Sequence, residues 1–202
     1  MNKRISLALL FVFSLLLPVL ANSIQISEKV YDTENLNFIP HHGDGKFSNY
    51  LAMVVPYEPV KEVWQQLEKL TGLKLKNRGE AHITVVTPVE FWDLQSHISM
   101  QEIDKIALRN KIQQAKFKIL GVGRGVKDND ETYFLVVQSP DLVNIRERIL
   151  DRFIKNGGSP GKFIPARYFP HITVGFTNRD LHEADGVIKN KNSLVFPVKV
   201  VK

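Results

Sequence analysis

The sequence contains no cysteine. Disulfides, thiolate metal ligands, a cysteine nucleophile and a lipid anchor on cysteine are therefore excluded, and stability has to come from an apolar core. Beyond position 20 there is also no apolar run approaching the roughly 20 residues that a spanning helix needs. An acidic balance is lacking too: 27 Lys and Arg face 21 Asp and Glu, a net charge of +6. That excess favours anionic ligands without marking a dedicated duplex binder. Two glycine-rich stretches fall short of nucleotide motifs. Gly121-x-Gly123-x-Gly125 is followed by no helix and reads as a strand bend or bulge, and Gly161-Lys162 lacks the rest of a phosphate loop.

What is present begins with a leader. Lys3 and Arg4 precede an apolar core from Ile5 to Leu17, and Val19-Leu20-Ala21 is a small-residue cleavage site, so residues 1–21 read as a signal peptide cleaved after Ala21. The stretch Ile5 to Leu20, at 16 residues including Ser6 and Ser14, is too short for an anchor. The chain is expected to be secreted or periplasmic, with no stable membrane span after cleavage. The remaining 181 of 202 residues make one ordinary domain, with 25 basic against 21 acidic residues once Lys3 and Arg4 are gone, or +4. Residues 22–49 are polar and turn-rich and read as an extended N-terminal arm, leaving 50–202 as the domain.

Within that domain one order of elements occurs twice. Tyr50 to Val55 is an apolar strand, Pro56 and Pro59 punctuate it, and Val60, Val63, Trp64, Leu67 and Leu70 form a helical stripe that Gly72 ends. Ala81 to Thr87 is the next strand. In the second half Tyr133 to Val137 is a strand and Ser139-Pro140-Asp141 starts a helix with its stripe at Leu142, Ile145, Ile149 and Phe153. Gly157-Gly158 ends that helix, and Pro170 to Phe176 follows as a strand. This is an internal strand-helix-strand repeat. Between the halves, Ser99 with Glu102 signals a capping box on a helix to about Leu108, Lys116 to Val122 reads as a strand, and Lys127 to Asp130 as a turn. Leu194 to Val201 reads as a last strand. The sum is an α+β domain of two similar lobes.

Each repeat ends in the same four residues, His82-Ile83-Thr84-Val85 and His171-Ile172-Thr173-Val174. In a strand the side chains alternate, so each copy sets His and Thr on one face and Ile and Val on the other. Histidine, with an ordinary pKa near 6.5, can be neutral in one copy and protonated in the other. One imidazole can then take a proton from an attacking oxygen while the second gives one to a leaving oxygen, each worth about 10² to 10⁴ in rate. The two hydroxyls can donate to non-bridging phosphate oxygens.

Two His-x-Thr-x motifs so spaced, each on a strand of a repeated lobe and the second preceded by Phe169-Pro170, resemble the 2H phosphoesterase superfamily. It includes RNA 2′,3′-cyclic phosphodiesterases and 2′-5′ RNA ligase-like proteins. The resemblance covers most of residues 50–202. It implies a bilobal duplicated fold, two antiparallel sheets facing a central cleft with helices outside. It also implies His82 and His171 as the acid-base pair and Thr84 and Thr173 as phosphate binders. The expected substrate is a small ribonucleotide or RNA end, cleaved at a 2′,3′-cyclic phosphate or 2′-5′ linkage without metal or other cofactor. The stretch Val86 to Trp92 departs from the continuation usual in the ligase-like branch, so the branch stays open.

Trp92 and Tyr168 flank the motifs and are candidates for stacking on a nucleobase. His97 and His182 read as surface residues. His41, His42 and Asp44 have ligand chemistry, but neighbouring strand histidines point to opposite faces, and a polar loop is the expectation. Two rival readings stay open: a secreted nucleotide- or RNA-binding module with the same cleft and no turnover, and a metallohydrolase built on His41, His42 and Asp44. No protein partner is inferable, and the chain is expected to be a monomer.

Overall fold

The computed structural model describes residues 23–45 and 47–202. The leader assigned to residues 1–21 lies outside them. Residue 24 already belongs to the fold: β1 (Ile24–Ser27) buries Ile24 and Ile26, and a 3₁₀ turn over Glu28–Tyr31 buries Val30 in the same core. The stretch expected as an extended arm therefore starts as a packed strand. The apolar-polar alternation of Ile24-Gln25-Ile26-Ser27 explains the docking, with one face turned inward.

The first strand-helix-strand unit follows as β2 (Leu51–Val54), α1 (Tyr57–Thr71) and β3 (His82–Val86). The stripe on α1 is buried through Val60, Val63 and Leu67, and Gly72 closes the helix at φ 70°, a left-handed conformation that glycine adopts without penalty. Its N–H bonds the Glu68 carbonyl. Next come two helices, α2 (Pro88–Leu94) and α3 (Met100–Arg109), each opened by a complete capping box, Thr87 with Glu90 and Ser99 with Glu102.

β4 (Lys118–Lys127) and β5 (Asp130–Gln138) then form a long hairpin, with a register shift between Ile119 and Gly121 where the glycine-rich stretch bends. The second unit continues from β5 through α4 (Pro140–Lys155), capped by Ser139, to β6 (His171–Phe176). What reads as one final strand is two, β7 (Leu194–Phe196) and β8 (Val198–Val201), broken at Pro197, which has no amide hydrogen to extend a ladder.

The strands of the described residues form three sheets. β2 and β3 pair antiparallel, β6-β5-β4-β7 form an antiparallel four-stranded sheet, and β1 pairs in parallel with β8. The architecture is α+β, with a parallel pair added to the two antiparallel sheets expected. Both repeated units run strand, helix, strand, and each pairs its own two strands antiparallel. The units meet where β3 packs against β6 and where Lys76 and Phe176 exchange backbone hydrogen bonds of 2.8 and 2.9 Å. Gly175 permits that approach: a Cβ there would stand 3.0 Å from the Lys76 carbonyl oxygen and from the Trp64 ring.

The main core lies between the helices and the inner faces of the sheets, and includes Ile83, Val85, Tyr133, Leu135, Ile172 and Val174. A smaller cluster of Phe134, Val136, Leu181 and Val187 covers the opposite face of the four-stranded sheet. Strand alternation thus sends Ile and Val of both HITV copies into the core and leaves His and Thr on the other face.

Candidate functional site

His171 stands beside Phe134, whose ring meets the imidazole edge-on at 5.9 Å between centroids. Its Nδ1 lies 2.9 Å from the Phe169 carbonyl oxygen. A carbonyl can only accept, so Nδ1 carries the hydrogen and Nε2 presents a lone pair. Burial pushes the His171 pKa down to about 3, and the nearby charge of Lys189 acts in the same direction. The neutral imidazole is therefore its resting form.

His82 is differently placed. Its Nδ1 lies 3.4 Å from Glu80 Oε1, and its side chain is 20% exposed. Burial lowers its pKa, while the Glu80 carboxylate opposes that shift. Two more rings border it, His41 at 6.4 Å and Tyr50 at 5.9 Å between centroids.

Beside Thr173 of the second motif sits a charged cluster with Asp180 at its centre. Asp180 Oδ1 accepts from Lys189 Nζ and from the Thr132 hydroxyl, each at 2.8 Å, and Oδ2 accepts from the Thr173 hydroxyl and from Arg78, each at 3.2 Å. Burial alone would raise the Asp180 pKa, but the charge and hydrogen bond of Lys189 outweigh it and hold the carboxyl well below its ordinary range. Burial in turn lowers the Lys189 pKa, against the pull of Asp180. The Asp180 carboxylate raises the pKa of both His82 and His171 slightly against the larger lowering by burial. His182 Nε2 is 3.9 Å from Asp180 Oδ2 with its side chain 58% exposed, so it lies at the surface as expected but on the rim of the same cluster.

A second device ties the strands together. Arg146 of α4 is fully buried; it donates to the Val85 carbonyl of β3 at 2.6 Å, to Glu90 of α2 at 2.7 Å and to the Pro165 carbonyl before β6 at 3.0 Å. The guanidinium lies over the Phe163 and Tyr168 rings, at 4.4 and 4.6 Å from their centroids. The Tyr168 hydroxyl donates to the Thr84 carbonyl at 2.9 Å. Tyr168, expected as a base-stacking candidate, is thus a bridge between the two motifs, with Arg146 over its ring; the sequence shows its place beside the motif but not this bond. Trp92 lies on α2, 49% exposed.

His41 and His42 leave the chain toward different partners. His41 stacks on Tyr50 at 4.0 Å and 15°, whereas His42 ion-pairs with Asp104 of α3. Among the described residues no group of three His, Cys, Asp or Glu side chains is close enough to share a metal ion.

Asp180, Lys189 and Arg78 were not singled out by sequence reasoning. They are isolated polar residues in loops, with no periodicity or motif to mark them; the one available signal is the proximity of Asp180 to Thr173, seven positions on.

A family model described as a Swiss Army Knife 2H phosphoesterase domain matches residues 49–182. No curated protein and no solved structure gives a match to the chain. With the match covering most of the chain and both HITV strands, the chain belongs to the 2H phosphoesterase family, which implies phosphodiester hydrolysis.

Proposed function

We propose that the protein hydrolyses a 2′,3′-cyclic phosphate or a 2′-5′ linkage in a small ribonucleotide or RNA end, with His82 and His171 carrying both proton transfers. The observation that supports it is the pair of motif histidines on the polar faces of β3 and β6, whose Nδ1 atoms meet different groups, the Glu80 carboxylate for His82 and the Phe169 carbonyl for His171. His171, held neutral with its Nδ1 hydrogen on the Phe169 carbonyl so that Nε2 carries the lone pair, suits the general base that takes a proton from water. His82, with Nδ1 beside Glu80, suits the acid that protonates the departing ribose oxygen, and the charge of a bound phosphate favours its imidazolium. Because two imidazoles supply the acid and the base, the mechanism calls on no metal. Thr84 donates to a non-bridging oxygen, and the Thr173 hydroxyl, whose single hydrogen is given to Asp180, turns from that carboxylate to donate to the same phosphate.

The same reading takes the two strand-helix-strand units as a duplicated pair of lobes whose motif strands border one cleft. It takes the protein as a secreted or periplasmic monomer acting on substrate outside the cytoplasm.

The test is incubation of the protein with 2′,3′-cyclic nucleotides and 2′-5′ oligoadenylate in chelator, beside His82→Ala and His171→Ala. Turnover in wild type and a loss of at least 10³-fold in each variant are expected. Activity surviving both substitutions overturns the mechanism. Phosphate binding with no product across the panel would instead make the protein a binding module.

A further inference from the structure

The loop from position 41 to Tyr50 lies almost wholly ahead of the family match, which starts at residue 49. It is nevertheless built against the first motif strand. His41 and Tyr50 form an antiparallel bridge, with the Tyr50 N–H 3.4 Å from the His41 carbonyl. Asn49 closes the turn by exchanging hydrogen bonds with the Gly43 backbone, at 2.8 and 3.2 Å. His42 fastens the loop to α3 through Asp104, whose Oδ1 is buried without a hydrogen-bond partner among the described residues.

The consequence is a third imidazole beside His82. His41 lies flat on Tyr50, 15° from parallel, and both rings border His82, their planes tilted 48° and 40° from its ring. Tyr50 directly precedes β2, and within β2 Ala52 pairs with Thr84 and Val54 with His82, so the ring pair stands at the edge of the His-Thr face. A phosphate served by Thr84 and His82 would extend its esterified group on this side. Both rings are partly buried, and burial keeps the imidazole neutral and the phenol protonated, so they offer aromatic surface and neutral hydrogen-bonding atoms.

We propose that His41 and Tyr50 form a specificity wall contacting the ring-bearing alcohol, a nucleoside, esterified to the phosphate on the His82 side. This rests on the function proposed above, and it assigns to the loop ahead of the family match the choice of what hangs from the phosphodiester. Stacking of a base or sugar ring on the His41–Tyr50 pair is worth roughly a tenfold change in affinity.

The experiment compares two probes on the full chain by calorimetry: inorganic phosphate, which reaches only the His and Thr groups, and nucleoside 2′- and 3′-monophosphates, which also reach the wall. His41→Ala should weaken mononucleotide binding at least fivefold and change phosphate binding less than twofold. His41→Phe keeps the stack on Tyr50 and should recover most of the mononucleotide affinity if ring surface is what counts; unfolding curves check that both variants fold. Equal weakening of both probes, or of neither, overturns the wall while leaving the hydrolase reading intact. If wild type binds neither probe and turns over no cyclic nucleotide, the function proposed above fails, and the wall fails with it. If His41→Ala does not fold, the same comparison on His41→Phe and Tyr50→Leu decides, with unchanged discrimination between the probes in both counting against the wall.

Discussion

Lys189 Nζ and Asp180 Oδ1 are 2.8 Å apart with side chains 3% and 4% exposed, so the charged cluster beside the second motif is a buried ion pair with the Thr173 hydroxyl attached. Removing one partner of such a pair strands the other charge away from water. Asp180→Ala is expected to cost about 3 to 5 kcal/mol of stability, with Lys189→Met, which leaves Asp180 its bonds from Arg78, Thr132 and Thr173, costing less. Urea unfolding of the two variants beside wild type checks the order, and an Asp180→Ala curve superimposing on wild type would contradict it.

Arg146 is the second site where loss of one side chain reaches both motifs. Arg146→Met removes its bonds to the Val85 carbonyl, Glu90 and the loop before β6, and leaves those carbonyls unsatisfied inside the protein. The expected cost is at least about 3 kcal/mol, since an unpaired buried acceptor is penalised in full. Activity should fall with it even at temperatures where the variant is folded, because β3 and the segment entering β6 lose their common anchor. Circular dichroism melts and turnover measured on one preparation separate the two effects.

Tyr168→Phe deletes one hydrogen bond, the one to the Thr84 carbonyl, and keeps the ring under Arg146. A stability loss of about 1 kcal/mol is expected, with KM for a mononucleotide substrate unchanged within twofold. A KM that rises tenfold would return Tyr168 to the role of a base-stacking residue.

The pH dependence has a definite sign. His171, His82, His41 and His182 all have pKa values lowered by burial in the folded state. Protons therefore bind the unfolded chain more readily, and stability that is complete above about pH 6.5 is lost as the pH falls toward the folded value, about 3 for His171. Around His171 the groups in play are Lys189, Asp180 and His182; around His82 they are Glu80, Arg78, His41 and Asp180. Melting temperature should drop between pH 7 and pH 4.5, and His171→Gln should flatten that slope. In activity, kcat/KM should be highest on the acid side of pH 6.5 and decline toward pH 8 as His82 loses its proton, with no acid limb from His171 above pH 4. An alkaline optimum would contradict a protonated His82 as the acid.

How much of this was legible in the sequence depends on how far each feature reaches along the chain. The His and Thr faces, the stripes of α1 and α4, the Ser99–Glu102 box and the Gly72 stop all rest on neighbours within one or two turns, and each stands where its spacing puts it. α2 carries a local signal in the Thr87-Pro88-x-Glu90 capping box, but at seven residues it is too short to show a helical stripe. The expected single last strand is divided at Pro197, a local break within an otherwise β-branched run. Asp180 with Lys189 and Arg78, and Arg146 with Val85 and Pro165, could not be read at all. Their partners come from segments with no shared pattern, and only the folded chain brings them together. Arg146 is the clearest case, since an arginine amid a helical stripe reads as solvated until its carbonyl partners are seen.

The parallel pairing of β1 with β8 joins position 24 to position 198. The pairing of β4 with β7 joins position 122 to position 196, and the remaining strand pairs form within one unit or through a turn, whereas β1 with β8 must wait for nearly the whole domain to be in place. Contacts that distant close late in folding, because the loop entropy is lost before the contact repays it. β1 and β8 thus act as a clasp fastened last, and a nascent or partly folded chain holds two unpaired strand edges until it shuts. Ile24 and Ile26, buried in the finished core, are then the residues through which such a chain is open to association with another copy.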